Sequence, residues 1–294
     1  MASISYNSQL VQMAEKNRSI LCFGLDPVEE RLPASIGGTL RERIVKFYSS
    51  IIEALPSEGQ SISALKPNYA YFAQYGWEGL QALGELMDKY RGQYTLIFDG
   101  KRGDIGTSSA AYAREAFDFW KADALTVSPL MGEDSVRPFL DCMNGGKGVY
   151  LLCRTSNSGA ADFLAAELVP DDKPLYISIL RKAAQWGASV SPPGPAPGLV
   201  VGATNTDDLE KVLWEIERTG QQMPLLVPGV GAQGGSASEV GKCLRETLRS
   251  QLKLQRINAS SSIAYAYQKA KTDDYIGAAL KEIATLNKSI GPLV

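Results

Sequence analysis

Asp99, Lys101, Arg102 and Asp104 crowd into the stretch Asp99-Gly100-Lys101-Arg102-Gly103-Asp104, directly behind the apolar run Tyr94-Thr95-Leu96-Ile97-Phe98. If that run is a strand, side chains two apart share a face, so Asp99 and Lys101 point the same way. Gly100 and Gly103 let the backbone turn sharply and place Asp104 just past the strand end. An ammonium held between carboxylates stays protonated, because nearby negative charge favours its charged form. Such a group is a proton source and a fixed positive charge. It can also stabilise developing negative charge. Arg102, one step off that face, reads as structural or solvated.

Composition removes the competing chemistries. There is no histidine among the 294 residues, which excludes Ser-His-Asp triads, Cys-His dyads and His-ligated zinc. Acid–base work must fall to carboxylates, lysine, tyrosine or cysteine. Cys22, Cys142, Cys153 and Cys243 form no CxxC pair. Cys22 and Cys153 lie inside apolar runs and read as small buried hydrophobes, so no disulfide framework is expected and a reducing compartment fits. A net charge of −2 without a long basic run speaks against a nucleic-acid or acidic-membrane partner. Met1 to Ser19 lacks a signal-peptide core and no window reaches the length of a membrane span, so the expected location is the cytoplasm.

The elements that must position the charges alternate along the chain. Apolar runs at Ile20–Leu25, Ile62–Leu65, Tyr94–Phe98, Ala124–Val127, Gly148–Cys153, Leu199–Ala203, Leu225–Val227 and Leu254–Asn258 read as short buried strands. Helical spacing between and beyond them predicts helices around Leu10, over Thr39–Leu55, Tyr71–Tyr90, Ala110–Trp120, Val136–Met143, Lys173–Trp186, Thr206–Arg218, Ser238–Gln251 and near Tyr275–Leu286. Such alternation implies parallel pairing with right-handed crossovers. Eight units in this length predict a single α/β domain over residues 1–294, a (β/α)₈ TIM barrel, with an open doubly wound sheet as the alternative. Ser191-Pro192-Pro193-Gly194-Pro195-Ala196-Pro197 reads as a stiff surface loop within it.

Active sites of such barrels sit at the C-terminal strand ends. Those ends carry Asp26, Lys66, Asp99 with Lys101, Ser128, Ser156 with Asn157, and the glycine-rich Pro228 to Gly235. Taken alone, Lys66 is a solvated loop charge and Asp26-Pro27 a turn signal; in one pocket with Asp99, Lys101 and Asp104 both become site candidates. The free amides of the loop after strand seven form a candidate phosphate cradle. No Rossmann fingerprint or other cofactor motif is present.

The pattern resembles the orotidine 5′-phosphate decarboxylase family, in its longer bacterial-type branch. Asp99-Gly100-Lys101-Arg102-Gly103-Asp104 matches the family's Asp-x-Lys-x-x-Asp, and Lys66-Pro67-Asn68 its Lys-Pro-Asn. Thr155-Ser156-Asn157 matches its pyrimidine-reading segment, Pro228 to Gln233 its phosphate-gripping Pro-Gly-Val-Gly-Ala-Gln, and Asp26 its early aspartate. The resemblance implies conversion of orotidine 5′-phosphate to uridine 5′-phosphate, the last step of de novo pyrimidine nucleotide (UMP) synthesis, without metal or cofactor. In it Lys101 is the proton donor and Asp99 its holder. Lys66 orients Asp99, and with Asp26 it contacts the ribose. Ser156, beside Asn157, reads the pyrimidine, while Gln233, Gly234 and Gly235 hold the phosphate. It further implies a homodimer in which Asp104, with Thr107 or Ser108 as a ribose contact, serves the neighbouring subunit's site.

One position departs from the family. Its Asn-Ser-Ser-Arg-Ala-Ile, whose arginine binds phosphate, stands here as Asn258-Ala259-Ser260-Ser261-Ser262-Ile263. Ser261 offers one neutral hydrogen bond where a guanidinium offers a charged fork. Arg256 lies near the start of the strand and is poorly placed to substitute. Phosphate affinity is therefore expected to suffer more than the chemistry of Lys101. Two alternatives stay open: a metal-dependent sugar-phosphate lyase sharing the Asp-x-Lys-x-x-Asp motif, and a catalytically impaired nucleotide-binding paralogue.

Overall fold

Every predicted strand forms, and together they close a ring. The computed structural model describes residues 4–55, 61–168, 172–190, 196–231 and 233–293. Its strands are β1 (Leu21–Leu25), β2 (Ala64–Pro67), β3 (Thr95–Arg102), β4 (Ala124–Val127), β5 (Gly148–Arg154), β6 (Gly198–Val201), β7 (Leu225–Val227) and β8 (Arg256–Ala259). Each pairs in parallel with its sequence neighbours and β8 pairs with β1, which makes a closed barrel rather than an open sheet. Strands buried on both faces must be continuously apolar, and β1, β2, β4, β6, β7 and β8 are buried at every residue. A separate two-residue antiparallel ladder joins Glu167–Leu168 to Lys173–Pro174.

Helices cover the outside, and their apolar faces meet the outward side chains of the strands in one large core. A second core fills the barrel, where Cys22, Ala64, Ile97, Ala124, Tyr150, Val200 and Leu226 meet Tyr6 and Leu10 of the N-terminal helix Tyr6–Asn17. That helix plugs the end of the barrel where the strands begin. Arg256, fully buried there, donates to the carbonyls of Leu10 (2.6 Å), Lys253 (3.0 Å) and Gln255 (2.8 Å). The far end is thus left for chemistry. Burial pushes the Cys22 thiol up to about 12, and all four cysteines are free, consistent with inert apolar packing.

Three departures from the sequence expectation have local causes. β3 does not stop at Phe98 but continues to Arg102, where the register against β4 shifts between Phe98 and Arg102. Lys101 sits in this irregularity at φ +45°, a left-handed conformation uncommon for a residue with a Cβ. The predicted helix Tyr71–Tyr90 is two helices, Tyr69–Ala73 and Gly76–Tyr90, divided where Gly76 takes φ +57°. The break brings Gly79 against Phe72, whose carbonyl oxygen would stand 1.9 Å from any Cβ at position 79. The helix over Ala110–Trp120 begins earlier, as Gly106–Arg114, and ends in a π-helical turn over Glu115–Phe119. Of the proline-rich loop, Ser191 to Pro195 lie outside the described residues, as does Ala232.

Arg102 proves structural. Its guanidinium grips Glu115 through Nε (2.9 Å) and Nη2 (2.7 Å) and stacks on Tyr69 at 4.4 Å, locking β3 to the helix that follows it. Arg102→Lys loses the fork and the stacking. It is expected to cost about 1–3 kcal/mol of stability in urea unfolding, with most of that loss absent in a Glu115→Gln background.

Candidate active site

The open end of the barrel holds a cleft of about 520 Å³. Leu152, Val200 and Leu226 give it an apolar floor, and a polar wall rises from the strand ends. Lys66 comes from the end of β2, Asp99 and Lys101 from β3, Thr126 from β4, Thr155, Ser156 and Asn157 from the loop after β5, and Gln233 from the loop after β7. In an eight-strand ring β3 stands opposite β7, so the charged cluster and Gln233 face each other across the mouth.

Asp99 is the centre of the charged cluster and is buried, at 7% exposure. Lys66 Nζ donates to Oδ2 at 2.8 Å, Lys101 Nζ to Oδ1 at 2.7 Å, and Thr126 Oγ1 to Oδ1 at 2.9 Å. Thr126 Oγ1 also accepts the Lys101 backbone amide at 2.9 Å, which fixes the bulge of β3. Burial alone would raise the Asp99 pKa, but the charges of Lys66 and Lys101 outweigh it and hold the carboxyl well below the usual carboxylate range. Burial would likewise lower the Lys66 pKa, but Asp99 and Asp26 overcome it and the ammonium is held above its ordinary value. Lys66 is buried with Asp99, whereas the Lys101 side chain is 48% exposed to the cleft. One ammonium is therefore an anchor and the other is presented to a ligand.

Asp26 also lines the cleft, with a buried Oδ1 that has no partner among the described residues, as does Asn258 through its Oδ1. Both are acceptors available to ligand hydroxyl or amide donors. On the far side Ser156 Oγ donates to Gln233 Oε1 at 2.8 Å and Thr155 Oγ1 to Asn157 Oδ1 at 2.7 Å. Ser261 borders the cleft from the short helix Ser261–Ala264 after β8.

Other candidates stand elsewhere. Asp104, Thr107 and Ser108 lie outside the cleft; the Asp104 carboxylate accepts the Ile105 amide at 2.8 Å, and Thr107 and Ser108 are exposed. Ser128 is spent on the backbone, its amide donating to the Arg102 carbonyl at 2.8 Å. Gly234 and Gly235 do not reach the cleft wall, and their amides are not free: they donate within the loop to Gly231 and Gly229, each at 3.0 Å, while the Gly231 amide bonds Gly235 at 3.0 Å. The loop thus braces itself with three of the amides expected to form a cradle. Sequence reasoning passed over Thr126, Asn258, Tyr71 and Arg31, all of which line the cleft. Thr126 alone left a signal, as the polar residue in an otherwise apolar β4.

A parallel barrel with its polar cluster on the C-terminal strand ends has the architecture of a (β/α)₈ enzyme. The chain belongs to the orotidine 5′-phosphate decarboxylase / HUMPS family, whose model matches residues 19–273. It is 39% identical over 282 residues to the orotidine 5′-phosphate decarboxylase of Ralstonia pickettii, covering 95% of both chains. Against that of Bordetella avium it is 41% identical over 251 residues, covering 84% of this chain and 85% of the relative. The solved Leishmania donovani OMP decarboxylase superposes with a TM-score of 0.73 at 30% identity, covering 98% of this chain and 99% of that one.

Asp99→Asn leaves the Lys66 ammonium buried with only a neutral partner, and unfolding in urea at pH 7 is expected to show a loss of about 3–5 kcal/mol. The sign of the pH dependence follows from the two shifts. The lowered Asp99 pKa gives stability that is present above about 4 and is lost as pH falls through the folded value; the raised Lys66 pKa gives stability present below about 10 and lost as pH rises through its folded value. The acid limb contributed by Asp99 is expected to be missing from the variant's stability curve.

Proposed function

We propose that the chain, as one catalytic domain over residues 1–294, converts orotidine 5′-phosphate to uridine 5′-phosphate and carbon dioxide in pyrimidine nucleotide synthesis, in the cytoplasm. The observation that carries this reading is Lys101 Nζ, held on buried Asp99 yet turned into the cleft. Family membership and near full-length identity to decarboxylases support it.

In the reaction the bond between the ring carbon and its carboxylate breaks, the electron pair stays on the ring carbon, and carbon dioxide leaves. The Lys101 ammonium stabilises that charge and then gives its proton to the same carbon. Asp99 fixes the ammonium and adds negative charge near the departing carboxylate. Lys66 and Asp26 contact the ribose, and Ser156, beside Asn157, reads the pyrimidine edge. The exposure of Lys101 lets solvent return its proton after each turnover.

A metal-dependent sugar-phosphate lyase fits this cluster less well, because both Asp99 oxygens already face ammonium groups that repel a divalent cation. The paralogue reading rests on Ser261 alone and leaves the intact lysine–aspartate cluster unexplained. Asp104 is assigned to a neighbouring subunit. It lies outside its own cleft, and Ile105 beside it is 60% exposed, with Leu130 and Met131 at 61% and 46%. Those apolar groups form the contact expected of a homodimer.

Turnover is read from the ultraviolet change on mixing with orotidine 5′-phosphate, and should survive a chelator. No turnover at saturating substrate, even with Ser261→Arg, rejects the decarboxylase. Lys101→Ala is expected to lower kcat by at least about 10³-fold while uridine 5′-phosphate still binds. For the dimer, Asp104→Ala and Lys101→Ala are each expected to be inactive alone. Mixed in equal amounts under subunit exchange, they should regain about a quarter of wild-type activity, since half the dimers then carry one complete site. Absence of regain would place Asp104 in its own subunit's site.

A further inference from the structure

We propose that Arg31 supplies the positive charge that binds the substrate's 5′-phosphate. The inference rests on the decarboxylase reading for the identity of the substrate, but its geometry stands apart from it. A nucleotide with its ring at Lys101 must send a dianionic phosphate away from the β3 cluster. Among the described residues three cations line the cleft: Lys66, Lys101 and Arg31. The two lysines are committed to Asp99 at 2.8 and 2.7 Å. Arg31 is the cation left over, and it stands in the segment after β1, on the side of the cleft shared with the last strand β8 and its Ser261.

Arg31 is held rather than merely present. It ends a short 3₁₀ turn, Glu29–Arg31, and its carbonyl accepts from Tyr267 Oη at 2.7 Å. Its guanidinium lies over the Tyr265 ring at 3.9 Å, and Nε donates to Gln268 Oε1 at 2.9 Å. Tyr265 is itself pinned, accepting the Val28 amide at 2.8 Å and donating to the Asp26 carbonyl at 3.2 Å. No acidic side chain pairs with Arg31, and its two Nη groups have no hydrogen-bond partner among the described residues. A planar fork with its inner edge anchored and its outer edge unpaired is the donor geometry that matches phosphate.

The other donors at this end do not replace it. The amides of Gly231, Gly234 and Gly235 are used inside their loop, Ser261 is neutral, and Arg256 is buried at the opposite end of the barrel. Arg31, Ser261 and Tyr265 also form the wall shared with a second cleft of about 630 Å³, lined by Lys269 and Lys281. Ser261, short and neutral, borders the same wall as Arg31. The charge is thus delivered from the β1 side of the pocket rather than the β8 side.

The test compares Arg31→Ala, Arg31→Lys and the double variant Arg31→Ala/Ser261→Arg in two measurements. One is the KM for orotidine 5′-phosphate. The other is calorimetric affinity for uridine 5′-phosphate and for uridine. Arg31→Ala is expected to weaken uridine 5′-phosphate about 10- to 100-fold and to change uridine less than about threefold, since a charged hydrogen-bonded contact is lost only with the phosphate. The lysine variant should lie between, the salt dependence of phosphate binding should become shallower, and the double variant should recover affinity. Equal weakening of both ligands, or no change in either, overturns the proposal. If the wild type binds uridine 5′-phosphate but never turns over orotidine 5′-phosphate, the decarboxylase reading fails while the affinity comparison still decides Arg31.

Discussion

One carboxylate shared by two ammonium groups sets the terms for the whole molecule. Removing Asp99 from water costs several kcal/mol, and only partners placed within hydrogen-bonding distance offset that cost. Those partners come from different strands: Lys66 from β2, Lys101 from the bulge of β3, and the Thr126 hydroxyl from β4. The cluster therefore exists only while three neighbouring strands keep their register. Closure of the barrel prevents that register from slipping, because none of its eight strands has a free edge. Arg102 extends the same constraint outward by tying the end of β3 to Glu115.

The two ends of the barrel divide structure from chemistry through the same residue types. At the closed end Tyr6 donates to Tyr150 at 3.1 Å and the two Nη groups of Arg256 donate to three carbonyls, so these groups are used inside the fold. At the open end Asp26 and Asn258 each keep a buried oxygen with no partner among the described residues, and Arg31 spends only its Nε, on Gln268. Unsatisfied buried polar groups are costly in a folded protein. Where such atoms line a cleft open to solvent, as those of Asp26 and Asn258 do, a ligand can complete them.

Most of this organisation was legible in the chain. Short apolar strands alternating with helices led directly to the closed ring, because burial on both faces demands continuous apolar runs and their spacing demands crossovers. Residues at strand ends, such as Lys66 and Asp99, could be found by the same logic. Three things could not. The bulge that sets Lys101 at positive φ depends on a cross-strand bond from Thr126, and no local pattern announces it. The glycine-rich loop had the composition of a phosphate cradle, but the amides of Gly231, Gly234 and Gly235 close on carbonyls of the same loop, a choice made by loop geometry rather than by residue type. Arg31 lies in a segment with no element signal, and its position depends on Tyr265, Tyr267 and Gln268, more than two hundred residues away in sequence.

The asymmetry between the two lysines decides how such a site can turn over repeatedly. A proton donor sealed in the core would be well positioned but could not regain its proton, and one free in solvent would regain it but lose its orientation. Here the functions are divided across a single carboxylate. Lys66 lies on the dry side, where burial makes its attraction to Asp99 strong. Lys101 lies on the wet side, oriented by one Asp99 oxygen and by the bulge beneath it, with nearly half of its side chain open to the cleft. Exchanging the exposures of the two lysines would keep every charge and every bond in the cluster, yet leave the proposed donor cut off from solvent. In the proposed reaction the arrangement of burial, more than the set of residues, makes Lys101 the group that acts and Lys66 the group that holds.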